Sequence, residues 1–92
     1  MNQVNDNAAS QRFELAAGDA VAFIAYRREG NQVELIHTEV PQALEGKGVG
    51  SALVRGTLER LRADGATVLP SCSFVARYIE RHPEYGDMVA GG

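Results

Sequence analysis

Residues 44–65 read LEGKGVGSALVRGTLERLRADG, and the change of rhythm inside that stretch decides the fold. Its first part sets Gly46, Gly48 and Gly50 at every second position around Lys47 and Val49. From Val49 onward the apolar residues follow a helical period. Val54, Leu58 and Leu61 fall at i, i+4 and i+7, and Val49, Leu53, Thr57 and Leu61 run beside them on the same flank. Arg55, Glu59, Arg60 and Arg62 take the other face, so the spacing predicts an amphipathic helix. It stops at Asp64-Gly65, where glycine suits the left-handed residue that closes a helix.

Upstream of the glycines the period is two. RFELAAGDAVAFIAYRREGNQVELIHTEV (12–40) alternates apolar with polar residues and breaks at Gly18-Asp19 and again at Glu29-Gly30-Asn31. Each break carries residues that accept tight-turn dihedrals, which predicts three antiparallel strands joined by two hairpins, the third ending at Pro41. Downstream, ATVLP (66–70) reads as a short strand. SCSFVARYIERHP (71–83) reads as a second helix, with Phe74, Val75, Tyr78 and Ile79 on one side and Arg77, Glu80 and Arg81 on the other. Pro83 ends it. The order is β-β-β-α-β-α, an α/β (α+β) fold with a largely antiparallel sheet and two packed helices. Residues 1–10, MNQVNDNAAS, are polar and aperiodic, so they are expected to form a flexible N-terminal arm before a domain spanning 11–92.

A chain of 92 residues has room for one small domain, and 45% apolar with 23% charged residues is an ordinary globular composition. A formal charge of -3 argues against a nucleic-acid-binding surface. Cys72 is the only cysteine, which excludes an internal disulfide, and no segment has the apolar length of a signal peptide or a membrane span. A cytoplasmic location without a membrane partner is the expectation. A lightly covered sheet edge leaves a monomer or a weak homodimer open.

Glycines directly before a helix leave backbone N–H groups uncovered, and the helix end adds roughly half a positive elementary charge. Such a place binds anions, and Lys47 brings a mobile cation to its rim. Three glycines in a strand-to-helix turn also serve simply to let the chain reverse. Two common phosphate loops are excluded by inspection. GxxxxGK[ST] fails because Pro41 stands five before Gly46, and GxGxxG fails at Ser51.

The pattern [QR]xxGx[GA], the acyl-coenzyme A loop of the GNAT superfamily of N-acetyltransferases, resembles EGKGVG (45–50). Gly48 and Gly50 occupy its glycine positions, and Glu45 stands where glutamine or arginine is usual. The resemblance extends along LIHTEVPQALEGKGVGSALV and PSCSFVARYIERHPEY, covers about residues 12 to 88, and is to a group of very small GNAT-like proteins. It implies a minimal GNAT-like fold and acetyl-CoA or CoA as cosubstrate. The diphosphate would lie on the loop formed by Glu45, Gly46, Lys47, Gly48, Val49, Gly50 and Ser51. The implied activity is acetyl-CoA-dependent transfer of an acetyl group to an unidentified amine. Full members of the superfamily carry extra early helices that shape the acceptor site, whereas this chain passes directly into strands. The competing reading is therefore a CoA-binding or protein-interaction module without significant transferase activity.

Cys72, at the start of the second predicted helix, sits where the helix field favours a thiolate; a small buried hydrophobe is the other reading. The resemblance implies that it is catalytic, either as acyl acceptor or as the acid for the departing CoA sulfur. Alternation puts His37 on the face of Val33 and Leu35, with Glu39 next along it. His37 is a candidate base for the amine or for Cys72, and Glu39 is its rival. Tyr78 fits the core stripe, although its hydroxyl could reach a thioester. His82 reads as a C-terminal helix cap. One cysteine and two distant histidines offer no recognised metal spacing.

Overall fold

In the computed structural model, which describes residues 3–90, four strands and two helices form where turn chemistry and period place them, and a fifth strand precedes them. The strands are β1 (Asn5–Asn7), β2 (Arg12–Ala17), β3 (Ala20–Glu29), β4 (Gln32–Glu39) and β5 (Thr67–Pro70), and the helices are α1 (Val49–Ala63) and α2 (Ser73–Arg81). Sheet order follows chain order, β1-β2-β3-β4-β5. The first three pairings are antiparallel, and β4 pairs with β5 in parallel across the α1 crossover. One core forms between the sheet and the helices. Phe13, Leu15, Ile24, Val33, Leu35 and Val68 from the strands meet Leu53, Val54, Leu58 and Leu61 of α1 and Val75 of α2, all at 1% exposure or less. Burying each such aliphatic side chain contributes about 1.5–3 kcal/mol, so the helical stripe read from the sequence is what seats α1.

The segment expected as a loose arm joins the domain well before Gln11. Asn5, Asp6 and Asn7 pair with Glu14, Phe13 and Arg12, and Val4 is a buried core residue. Its slot exists because α1 carries glycine at position 56, where a Cβ would lie 2.5 Å from Val4 Cγ2. Arg60 donates to the Val4 carbonyl at 3.2 Å, and the Tyr26 hydroxyl donates to Asp6 at 2.6 Å. Polarity hid this strand: its backbone bonds and one apolar residue hold it, leaving no period to read. Met1, Asn2, Gly91 and Gly92, which fall within the two expected segments, lie outside the described residues.

The β3–β4 pairing contains the most consequential irregularity. Ala25 faces His37, yet the next residue, Tyr26, faces Leu35, so Ile36 has no partner. This is a β-bulge, and the extra residue reverses which side chains face the core. Val33 and Leu35 point inward at 0% exposure, but beyond the bulge Thr38 takes the inward position and Ile36 is 45% exposed. His37 and Glu39 turn to the open face of the sheet, correcting the placement of His37 beside Val33 and Leu35. Phe74, expected in the core stripe of α2, is likewise 43% exposed.

After α2, a 3-10 turn over Pro83–Met88 brings the chain back along β5, where Ala90 N–H donates to the Val68 carbonyl at 2.8 Å. That contact covers part of an edge that would otherwise present unpaired backbone.

The Val4→Ala change tests the buried start of the chain. It removes two methyl-sized groups from a packed slot and should cost about 1.5 kcal/mol of unfolding free energy. Chemical denaturation reads this as a lower midpoint at unchanged slope, whereas a detached arm gives no shift.

Candidate functional site

The parallel crossover brings the loop before α1 and the start of α2 to the C-terminal ends of β4 and β5, the edge where open α/β sheets form crevices. Between β4 and α1, a short 3-10 turn over Gln42–Leu44 buries Leu44 and anchors the loop. Gly48 is the N-cap of α1 at φ 74°, a left-handed conformation that side chains resist. Its carbonyl accepts the Ala52 N–H at 3.0 Å, the first intrahelical bond. The N–H groups of Gly48, Val49, Gly50 and Ser51 precede that bond, and no side chain caps them. Glu45 differs from its loop neighbours because its N–H already donates to the Gln42 carbonyl at 3.2 Å. Lys47 is exposed and makes no ion pair among the described residues.

These groups open onto a groove of about 310 Å³, lined in part by Val40, Leu44, Gly46, Gly48, Gly50 and Phe74. Gly50 allows a close approach: a Cβ there would lie 2.9 Å from the tip of the Phe74 ring, which would have to shift. The exposed Phe74 thus belongs to the groove wall, packed against the first turn of α1.

Cys72 is the N-cap of α2, 8% exposed, and its N–H donates to the Leu35 carbonyl at 2.9 Å. Strand pairing between β4 and β5 ends at Leu35 and Pro70. Beyond it the two segments meet through side chains, with Thr38 Oγ1 3.3 Å from Cys72 Sγ. Burial alone would push the thiol up, but the Thr38 hydroxyl and the backbone N–H groups of Val75, Phe74 and Thr38 outweigh it and hold the thiol below its ordinary value. None of the α2 amides makes a capping hydrogen bond of ordinary geometry to the sulfur. At the start of a helix their dipoles still favour a thiolate.

The structure therefore sets the glycine loop and Cys72 at the same end of the β4–β5 pair, and turns His37 and Glu39 to the other face of the sheet. His37 Nε2 lies 3.8 Å from Glu39 Oε1 with both side chains 60% exposed, on the face of the sheet opposite Cys72. Thr38, between them in sequence, is the residue that reaches the thiol. The adjacent apolar pair Leu35-Ile36, which interrupts strict alternation, is the signal that could have revealed it. Tyr78 is half-buried and stacks on His82, with ring centroids 4.1 Å apart. Burial pushes the Tyr78 phenol up, and the Arg55 charge opposes that shift. His82 does end α2, as expected, and its ring joins the wall of a hollow between the helices.

Removing the Thr38 hydroxyl isolates its effect on the sulfur. In wild type, the pH midpoint of alkylation by iodoacetamide should lie below that of a free cysteine, and in Thr38→Val it should move upward. Because the folded thiol ionises at lower pH than the unfolded one, its ionisation adds stability above the unfolded pKa, and that stability is lost as pH falls through the folded pKa. An unchanged midpoint in Thr38→Val would show that the helix amides alone set the acidity.

Comparison with known proteins identifies the family and the fold. The model of a GCN5-related N-acetyl-transferase family matches residues 12–88. Protein NATD1 of chicken and of mouse is 29% identical over 63 residues, which cover 67% of this chain and 57% of the relative. The human protein of the same name is 29% identical over a region covering 56% of its length, so the match spans little more than half of these relatives. The NMR solution structure of a GCN5-like protein from Staphylococcus aureus superposes with a TM-score of 0.72 at 28% identity, covering 98% of this chain and 89% of that one. With the family model spanning residues 12–88 and a solved structure superposing over most of its length, the chain belongs to the GCN5-related N-acetyltransferase family.

Proposed function

We infer that the protein takes an acetyl group from acetyl-CoA and passes it to an amine, with Cys72 as the point of transfer. One observation carries the reading: an uncovered row of helix N–H groups and a thiol of raised acidity lie at the same end of the β4–β5 pair. The N–H groups of the Gly46–Ser51 loop hold the cosubstrate's diphosphate, with Lys47 adding a cation at the rim. Glu45 contributes to the shape of the groove, since its N–H is already occupied.

The chemistry follows from what faces the thiol. Cys72 Sγ attacks the thioester carbonyl carbon; the carbon–sulfur bond to CoA breaks, and the cysteine proton goes to the departing CoA sulfur. The acetyl group is then a thioester on Cys72. Amine attack on that carbonyl forms the amide bond and breaks the Sγ–carbon bond, and the amine's proton returns to Cys72. Thr38 is the positioning residue, holding the sulfur by its hydroxyl. His37 and Glu39 lie on the far face and take no part in this route. The donors around the sulfur lower its affinity for the proton and so raise the share of thiolate, the form that attacks a thioester.

Two measurements test the two halves separately. With CoA at millimolar concentration, the amide resonances of Gly46 to Ser51 should shift; signals left unmoved overturn the binding half. Rapid-quench intact mass after mixing with acetyl-CoA should show one acetyl adduct that is missing from Cys72→Ala, whose turnover should fall by about a hundredfold or more. Turnover by Cys72→Ala equal to wild type, with no adduct at any quench time, would remove the cysteine from the chemistry.

A further inference from the structure

The face of the sheet turned away from the helices is uncovered, and the transfer chemistry makes no use of it. Four large hydrophobic side chains are exposed among the described residues, and three of them, Val21, Ile36 and Leu69, stand on this face. Phe23 and Ala25, both half-buried, occupy its centre. An apolar patch rimmed by charge, on a sheet that lacks a second layer, marks a place where another surface packs.

Strand register decides which surface that is. Two neighbouring rows cross the middle of the face. In one, Glu14, Phe23 and Glu39 stand side by side on β2, β3 and β4; in the next, Arg12, Ala25 and His37 do so. The first row reads acid, large ring, acid, and the second reads cation, small methyl, imidazole. Each row is the complement of the other. A twofold axis lying in the plane of the face, across the strands and between these rows, sets every strand over its own copy running the opposite way. It places Arg12 over the partner's Glu14, His37 over the partner's Glu39, and the Phe23 ring over the gap above the partner's Ala25, and it repeats each pairing with the copies exchanged. An axis along β3 instead would set Glu14 against the partner's Glu39, a like-charge contact. Within one chain Arg12 already reaches Glu14 at 2.8 Å, and His37 lies 3.8 Å from Glu39. The second copy closes each of these pairs into a cluster of alternating charge or hydrogen-bonding groups.

We propose that this open face is the interface of a homodimer, two copies packed sheet to sheet about that axis. Sheets packed in this way lie about 10 Å apart with their strands within about 30° of one another, a gap that facing side chains fill. Five strands about 4.8 Å apart and about 20 Å long present roughly 500 Å² per copy, so roughly 1,000 Å² is covered in all. That lies at the lower limit of a specific interface and implies a dimer in exchange with its monomer at micromolar concentrations. The charges on the face nearly cancel, Arg12 and Arg27 against Glu14, Glu34 and Glu39, so a strongly acidic or basic partner gains little from it. Both helices pack against the other face, and the dimer leaves the glycine loop open.

Sedimentation velocity of the full chain tests the proposal: from about 5 to about 500 µM, wild type should pass from monomer to dimer. Ala25→Glu sets a carboxylate between the partner's Glu14 and the partner's Glu39 and should weaken the dimer about tenfold or more. Arg12→Glu, which opposes the partner's Glu14, should do the same. The double exchange R12E/E14R restores opposite charges within and between copies and should recover most of the affinity. All of these changes lie on the open face, so circular dichroism should show an intact fold. Amide resonances that move with wild-type concentration should belong to β2, β3 and β4, with β1 and Val89 at the sheet edges unmoved. A chain that stays monomeric at the highest concentration overturns the proposal and leaves the face to a different molecule. A dimer unchanged by Ala25→Glu and Arg12→Glu, or one whose shifts follow an edge strand, overturns it equally. A double exchange as weak as Arg12→Glu alone rules out the twofold pairing.

Discussion

A single unpaired residue in β4, Ile36, governs the arrangement of this site. Without it, strict alternation would carry Val33, Leu35, His37 and Glu39 along one buried face. Two charged or polar groups would then lie in the core with no partners to offset their desolvation, a loss of several kcal/mol. With the bulge, the strand keeps its aliphatic half inside and then presents Thr38 inward, a side chain small enough to bury and able to hydrogen-bond. The same step places Thr38 opposite Cys72 just where β4–β5 pairing has ended at Leu35 and Pro70. The thiol's environment is therefore a consequence of strand register.

Much of this architecture was legible in the residues. Periods of two and 3.6 located three strands and both helices, and Asp64-Gly65 located the end of α1, because burial of one face imposes those periods. The glycine loop was legible through its resemblance and its position before a helix. What escaped detection shares a physical cause. β1 is held by backbone pairing and by Val4, which leaves no apolar period. The bulge depends on how β3 and β4 pair, which is a property of two strands and only faintly marked in one by Leu35-Ile36. Phe74 fits the helical stripe by spacing, but the close approach of Gly50 draws its ring toward the loop. The hollow between α1 and α2 collects residues from segments more than twenty positions apart, so no local pattern announces it.

A domain this small buries only part of its sheet, and the placement of helices on one face sets a division of labour. The covered face holds the apolar core. The other face presents Arg12, Glu14, Arg27, Glu34, His37 and Glu39, with the Arg12 guanidinium 4.0 Å above the centre of the Phe23 ring and Ser71 donating to Glu34 at 2.6 Å. Cation–π contact and cross-strand polar pairs shield the half-buried apolar surface that this face retains. At the edges, a three-residue β1 and the return of Val89-Ala90 along β5 leave little unpaired backbone exposed. The N-terminal strand thus contributes to the fold at the edge of the sheet opposite the one that carries the site.

The loop and the thiol illustrate two uses of one resource, the unsatisfied amides at a helix start. At α1 no side chain caps the first turn, the loop is anchored by buried Leu44, and Phe74 packs on Gly50, so the N–H groups are held in place while remaining open. Groups fixed before a ligand arrives need little ordering when it binds. At α2 the cap position is occupied by a sulfur, and the amides act on a charge that belongs to the protein itself. Burial opposes ionisation there and the donors favour it, with the donors prevailing. A more exposed sulfur would escape the burial penalty but lose the screened setting in which those dipoles act most strongly. The near-complete burial of Cys72 and its lowered proton affinity are thus parts of one compromise, and Thr38, delivered by the bulge, tips it.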